Sequence, residues 1–251
     1  MRILIISDLH ANLEALEACL AAAPKHDLVF NLGDIVGYGA DPNEVTLRAR
    51  TLGRIFVRGN HDKACAGLMD LEFFNPVAAA AASWTRERLA ADHLRFLREL
   101  PQGPIIPLEN VECVHGSPHD EDEYVLTAHE AYSILERQKA PLTFFGHTHV
   151  QGAYWIDDVN DKEGIIAPQY PSESGTQHFS FSMDATAKYL VNPGSVGQPR
   201  DGDPRAAFAL YDSDAREITL HRVPYDIERA QRKIVDAGLP PRVAARLAEG
   251  R

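Results

Sequence analysis

Five short clusters of metal-binding side chains punctuate this chain: Asp8-Leu9-His10, Gly33-Asp34, Gly59-Asn60-His61-Asp62, His115-Gly116 and Gly146-His147-Thr148-His149. Each follows a short apolar run, and that pairing constrains the fold more than any other feature. The runs at 2–7, 28–32, 55–58, 110–115 and 142–145 read as strands, and the amphipathic stretches among them as helices, the pattern of β-α units around a buried sheet. Every cluster then falls at the C-terminal end of a strand. In open α/β sheets that edge is where ligands bind.

Local signals sharpen the helices. Asn12 is placed to cap a helix carrying Leu13, Leu16, Leu20 and Ala23 at helical spacing. Asp41-Pro42-Asn43-Glu44 offers a cap, a proline at the first helical position and a capping box, and Thr127 with Glu130 offers a second box. Residues 75–100 predict a helical hairpin, begun by Asn75-Pro76 and carrying Val77, Trp84, Leu89, Leu94 and Leu97, inserted as a cap beside the site. From residue 152 the texture changes to alternating stretches at 179–183, 188–191, 206–211 and 217–223, which predict an antiparallel second sheet. Residues 159–176 read as a loop between strands, and 225–251 as a helical segment broken at Gly238-Leu239-Pro240-Pro241. A single α/β domain spanning 1–251 accommodates all of this, since such folds reach roughly 200–250 residues as one unit.

The donor chemistry is selective. Imidazole, carboxylate and amide oxygen together suit Zn, Mn or Fe better than the all-oxygen cages of Ca or Mg. Asp8, His10, Asp34, Asn60, His115, His147 and His149 are too many for one tetrahedral ion. Shared over two divalent ions through a bridging carboxylate, they leave positions open for water and substrate, a two-metal hydrolytic arrangement. Asp8 and His10, two apart beyond a strand, point to the same side. Two carboxylates offset only part of the charge of two divalent ions, leaving about +2 to attract a phosphoester anion.

Charge and cysteine usage exclude other classes. With 25 basic and 36 acidic residues the formal net charge is −11, and no dense Lys/Arg run exists to grip duplex nucleic acid. Cys19, Cys65 and Cys113 are scattered without a Cys-x-x-Cys pair, as expected of reduced thiols in a cytoplasmic protein. The apolar start is interrupted by Asp8 before a signal-peptide core completes, and no run of about 18 apolar residues offers a membrane span.

In this order the clusters resemble the calcineurin-like metallophosphoesterase superfamily, most closely its small bacterial and archaeal phosphoesterases, in which a segment like Asn192-Pro193-Gly194-Ser195 follows the last His pair. The match runs from Met1 to about Asp212. The resemblance implies two packed mixed β-sheets flanked by helices, a four-layer sandwich. It also implies that one ion takes Asp8, His10, Asp34 and His149, and the other Asp34, Asn60, His115 and His147. Its substrates include phosphoproteins, nucleotides such as dinucleoside polyphosphates, and cyclic nucleotides. Two small departures, Ala11 where Gly is common and Gln151 where Pro often stands, bear on loop shape and not on a donor.

With Asn60 turned to metal, the adjacent His61 is directed elsewhere and is expected to donate a proton to the leaving group, with Asp62 orienting its imidazole. Arg200 and Asn12 are the candidate phosphate contacts, Arg200 through its bidentate fork. The expected function is hydrolysis of a phosphomonoester or phosphodiester by metal-activated hydroxide, on a phosphorylated small molecule, nucleotide or phosphopeptide. A nuclease, or a non-catalytic interaction module on the same fold, is the alternative. The remaining histidines, His26, His93, His119, His129, His178 and His221, read as ordinary surface or hydrogen-bonded residues, and the run 120–123 as a solvated acidic loop.

Overall fold

Strand β1 (Arg2–Ile6) shows why the apolar runs are continuous. Ile3 and Ile5 enter a core between two sheets, Leu4 and Ile6 pack against helices, and all four are buried. A strand covered on both faces needs apolar residues throughout, and each such burial contributes about 1.5–3 kcal/mol. The structure, a computed structural model, describes residues 1–172 and 174–251.

Helices α1 (Leu13–Ala22) and α2 (Pro42–Leu52) carry the chain from β1 to β2 (Leu28–Asn31) and on to β3 (Ile55–Phe56), which pair in parallel. Asn12 caps α1 as expected, accepting the Ala15 N–H at 3.1 Å. Asp41 does not cap α2; its carboxylate accepts from the Lys233 ammonium at 2.8 Å instead. An ion pair with a distant helix there replaces the local cap bond.

The short helix α3 (Asn60–Cys65) leads to a 3₁₀ turn at Leu71–Phe73 and then to α4 (Pro76–Arg88) and α5 (Ala91–Arg98). Those two helices are the hairpin read from the sequence. They pack against α2 and α3 and bury Ala78, Ala81, Ala82, Leu89 and Leu97, so the hairpin widens the helical layer, and only its leading end borders the site. Strands β4 (Ile105–Leu108) and β5 (Val111–Cys113), helix α6 (Ala128–Arg137) and strand β6 (Leu142–Phe144) follow. The Thr127–Glu130 capping box is formed at the start of α6.

The remaining strands are β7 (Gly152–Asp157), β8 (Lys162–Ile166), β9 (Gln177–Ser182), β10 (Lys188–Asn192), β11 (Ala206–Asp212) and β12 (Glu217–Val223), followed by α7 (Ile227–Asp236) and α8 (Pro241–Glu249). They do not make a second sheet of their own. One sheet runs β3-β2-β1-β11-β12-β9 and the other β4-β5-β6-β10-β7-β8. Both are mixed: β11 pairs antiparallel with β1, and β10 pairs parallel with β6. The five cluster-bearing strands are thus divided, three in one sheet and two in the other, which corrects the expectation of a single edge. Strand β8 also occupies part of the predicted loop 159–176, because its charged, half-exposed residues hide its alternation; Glu173 of that loop lies outside the described residues.

Four layers result. Helices α1 to α5 cover the outer face of the first sheet, the two sheets pack face to face around Phe30, Phe144 and Tyr211, and α6 covers the second sheet through Ile134 and Leu135. Cys19, Cys65 and Cys113 are buried and unpaired. No helix among the described residues is long and apolar enough to cross a membrane.

Candidate metal centre

The clusters converge at the end of the sandwich where the two sheets face each other. Asp8 and His10 follow β1, Asp34 follows β2, Asn60 opens α3 after β3, His115 follows β5, and His147 and His149 follow β6. Asp8, His10, Asp34 and His149 form one buried group whose ligand atoms all lie within 4.8 Å of one another, and Asp34, His115 and His147 form a second. Asn60 joins the second group, its Oδ1 lying 3.3 Å from His115 Nε2. All seven predicted donors are therefore assembled, and Asp34 belongs to both groups.

The backbone is strained to achieve this. Asp8, His10, Asp34, His147 and His149 all have φ between 46° and 66°, a left-handed conformation that costs non-glycine residues of order 1–3 kcal/mol each and persists where surrounding structure enforces it. Successive donors can then turn inward from a tight loop.

Hydrogen bonds behind the site fix the rings. Nδ1 of His10 lies 3.2 Å from Val36 O, that of His115 lies 2.8 Å from Leu32 O, and that of His149 lies 2.6 Å from Gln198 O. Each Nδ1–H donates outward to a carbonyl, so each Nε2 edge is turned inward, as in metal-ligating histidines. The Nε2 atoms of His10 and His149 stand only 3.1 Å apart. Two lone pairs in that position need a cation between them. For His147 the order is reversed: Nε2 is 3.2 Å from Asp122 O, so Nδ1 is the free nitrogen.

Asp34 Oδ1 accepts the His61 N–H at 2.8 Å, while Oδ2 is buried without a hydrogen-bond partner, 3.6 Å from His10 Nε2 and 3.5 Å from His115 Nε2. An orphaned carboxylate oxygen between two imidazole nitrogens is costly unless it binds something. Burial opposes charge on every group here. Even so, Asp8 is held below the usual carboxylate range by His149, and Asp34 by His115 and His61. In the chain by itself the compensating proton sits on His115, which burial would depress but Asp34 lifts to about 10. Burial drives His10 and His149 down, and His147 down to about 3, the neutral form in which imidazole ligates. The donor set fits divalent cations.

His61 is placed beside the donors but turned away from them. Its ring packs against Tyr38 (centroids 4.5 Å apart), Phe74 (4.9 Å) and His10 (4.9 Å), and it lines a cavity of about 300 Å³ together with Asn60, Phe73, Tyr124 and His147. Burial lowers it to about 4. Asp62 does not orient it, contrary to the sequence reading. Its Oδ1 accepts the Ile35 and Val36 N–H groups at 2.8 and 3.2 Å, and its Oδ2 accepts that of Gly59 at 3.1 Å. Neighbours in a helical turn point about 100° apart, so Asp62 faces the Asp34 loop and His61 faces the cavity.

Asn12 is also corrected as a substrate contact. Besides capping α1, it donates through Nδ2 to Gly197 O at 2.9 Å, which ties the first donor loop to the segment after β10. Arg200 stands at the site, its N–H donating to His149 O at 3.2 Å and its guanidinium 5.8 Å from the centre of the Tyr38 ring. The acidic run is solvated only in part: Asp120 is exposed, while Glu121 pairs with Arg58 and Lys63, and Asp122 with Lys63. Tyr38, Phe73 and Tyr124 went unmarked in the sequence reading. Only Tyr38, in Gly37-Tyr38-Gly39 just after the second cluster, carried a signal of a constrained loop.

The family model of the calcineurin-like phosphoesterase superfamily domain matches residues 1–216. An uncharacterized protein of Methanocaldococcus jannaschii is 37% identical over 257 residues, covering 99% of this chain and 98% of its own. The crystal structure of a metallophosphoesterase from Sphaerobacter thermophilus superposes over the full length of both chains with a TM-score of 0.85 and 41% identity. A hypothetical protein from Pyrococcus horikoshii shares the fold at a TM-score of 0.77 and 19% identity, covering 100% of this chain and 98% of its own. On the match to the family model, and on the relative and the solved structure that align end to end, the chain belongs to the calcineurin-like phosphoesterase superfamily.

Proposed function

We propose that the protein is a dinuclear metal-dependent phosphoesterase that hydrolyses a phosphomonoester or phosphodiester. The observation that carries this reading is Asp34 Oδ2, buried, without a hydrogen-bond partner and placed between His10 and His115 so that one carboxylate joins two donor groups. Asp8, His10, Asp34 and His149 would hold one ion, and Asp34, Asn60, His115 and His147 the other. The mixed nitrogen and oxygen donors favour Mn, Fe or Zn. When bound, two such cations supply Lewis acidity: they lower the pKa of water and offset the charge of phosphoryl oxygens.

The chain's own residues do the rest. Arg200 directs a planar, permanently charged fork at phosphoryl oxygens. His61 has its Nδ1 side against Gly37, which leaves its Nε2 edge toward the cavity; neutral at rest because burial lowers it to about 4, it takes up a proton when a phosphoester anion enters beside it and delivers that proton to the departing alkoxide. Tyr38 and Phe74 hold that ring in place. Asp62 positions the loop that carries Asp34.

A small phosphorylated molecule, a nucleotide or a phosphopeptide in the cytoplasm is the substrate this reading favours, because a chain of net charge −11 repels long DNA. The test is hydrolysis of p-nitrophenyl phosphate and bis-p-nitrophenyl phosphate with added Mn, repeated with chelator. Turnover that appears with Mn and vanishes with chelator is expected. No metal-dependent turnover of either compound would reject it.

A further inference from the structure

Two guanidinium groups meet at Tyr38. Arg200 approaches the ring at 5.8 Å and Arg246, from α8, at 6.0 Å. The same ring packs on His10 and His61, at 4.9 and 4.5 Å, so both arginines stand one aromatic ring away from the donor cluster. No Asp or Glu side chain among the described residues pairs with either. Arg200 donates to Gln198 Oε1 at 3.2 Å and leaves Nε buried without a partner, while Arg246 donates through Nε to the Arg251 backbone oxygen at 2.8 Å. Burial, and then the positive charge of Arg200, lower the affinity of Arg246 for its proton.

Such an arrangement is unfavourable in a chain of net charge −11 that has acidic groups to spare. Elsewhere several half-buried cations are neutralised by carboxylates: Arg58 and Lys63 with Glu121, Lys233 with Glu14 and Asp41. Among the described residues, only beside the donor cluster do two arginines face one ring without an Asp or Glu side chain of their own. The surrounding space is open. The cavity in front of His61 reaches Asn75, and Asn75 also lines a groove of about 470 Å³ bordered by Arg242, Arg246, Arg251 and a single carboxylate, Glu249.

We propose that Arg246, beside the Arg200 fork assigned to the phosphoryl group at the donor cluster, extends the site into a second anion subsite, so that the preferred substrate carries a further phosphoryl group, as a nucleoside diphosphate or another phosphoanhydride does. Arg246 lies beyond residues 1–216 that match the family model, on a helix that packs against Tyr38 and Ala78 through Val243 and Leu247. The C-terminal segment thereby acts as a specificity element of a site built by the rest of the chain. Phe73 and Tyr124, both exposed on the cavity wall, give a planar organic group surfaces to stack on.

This inference rests on the phosphoesterase reading, and its test separates the two. Binding of α,β-methylene-ADP and of AMP to the Mn-loaded protein is measured by calorimetry for the wild type, Arg246→Met and Arg246→Lys. A charged hydrogen bond to phosphate is worth about tenfold or more in affinity. The wild type should therefore prefer the diphosphate analogue by at least about tenfold. Arg246→Met should reduce that preference below about threefold, and Arg246→Lys should restore part of it. Equal preference in wild type and Arg246→Met overturns the subsite, as does a wild type that binds the two ligands alike. Neither result depends on turnover of p-nitrophenyl phosphate, on which the broader reading stands or falls.

Discussion

The carboxylate of Asp62 is bonded to the backbone of Ile35, at 2.8 Å, and not to the imidazole beside it in sequence. Removing it orphans the N–H groups of Ile35, Val36 and Gly59 in the interior. Each orphaned group costs about 1–3 kcal/mol, so Asp62→Ala should lower unfolding stability by about 3 kcal/mol or more, read from the urea midpoint. Metal content should fall with it, because Asp34 sits on the same loop. A variant of unchanged stability and metal content would contradict the bracing role.

His61→Ala should behave in the opposite way. The ring touches Tyr38, Phe74 and His10 but belongs to neither donor group. Turnover of p-nitrophenyl phosphate should drop by about 10² to 10⁴ while elemental analysis still finds the wild-type metal content. Unchanged turnover would remove His61 from the chemistry.

Asp34 is the donor common to both groups. After saturation with Mn and desalting, the wild type should retain two ions per chain and Asp34→Asn one or none, by elemental analysis. Metal at about a hundred times its Kd should stabilise the wild type by about 2.7 kcal/mol and the variant by measurably less. Equal stabilisation of the two proteins would refute the shared carboxylate.

Gly59 tests how tightly the second and third clusters interlock. A methyl group there would lie 2.1 Å from Asp34 Oδ1 and 2.3 Å from Asp34 N, an approach the structure cannot accommodate without moving the donor. Gly59→Ala should cost about 1–3 kcal/mol and weaken Mn binding in a titration. A variant with wild-type affinity would show that Asp34 has room to shift.

Away from the site, His221 is buried against Phe208, rings 4.5 Å apart and 11° from parallel, with Nε2 unpartnered. The sequence places it among ordinary surface or hydrogen-bonded histidines. Burial, and then His178, lower it to about 4 from the usual 6.5. A depressed base resists protonation in the folded state only, so its contribution is complete above pH 6.5 and is lost as pH falls toward 4. The loss amounts to at most about 3 kcal/mol. Urea midpoints between pH 7 and 4.5 should decline less steeply in His221→Phe than in the wild type; parallel declines would show that other groups set the acid limit.

The candidate donors were legible because metal chemistry admits few residue types, and because five clusters of them in order each follow a strand, where any one alone would read as ordinary loop chemistry. Helix starts such as Asn12 and Thr127 were legible because a cap is a local bond. The division of strands between sheets was not. Ile3 pairs with Tyr211 across most of the chain, and nothing local to β1 announces a partner in β11. The roles of Asp62, Asn12 and Arg246 were hidden for a similar reason: each depends on which backbone or ring lies opposite, and residue type alone does not say.

Each donor group draws on both sheets, Asp8, His10 and Asp34 from one, and His115, His147 and His149 from the other. Cations seated there would rivet the two halves of the sandwich at one end, while the contact of Phe144 with Tyr211 zips the interior independently of metal. Depleted of ions, the molecule would splay along that seam at the donor end first. A substrate held at the donor cluster would enter there too, so the same joint would govern both the integrity of the protein and the width of its mouth.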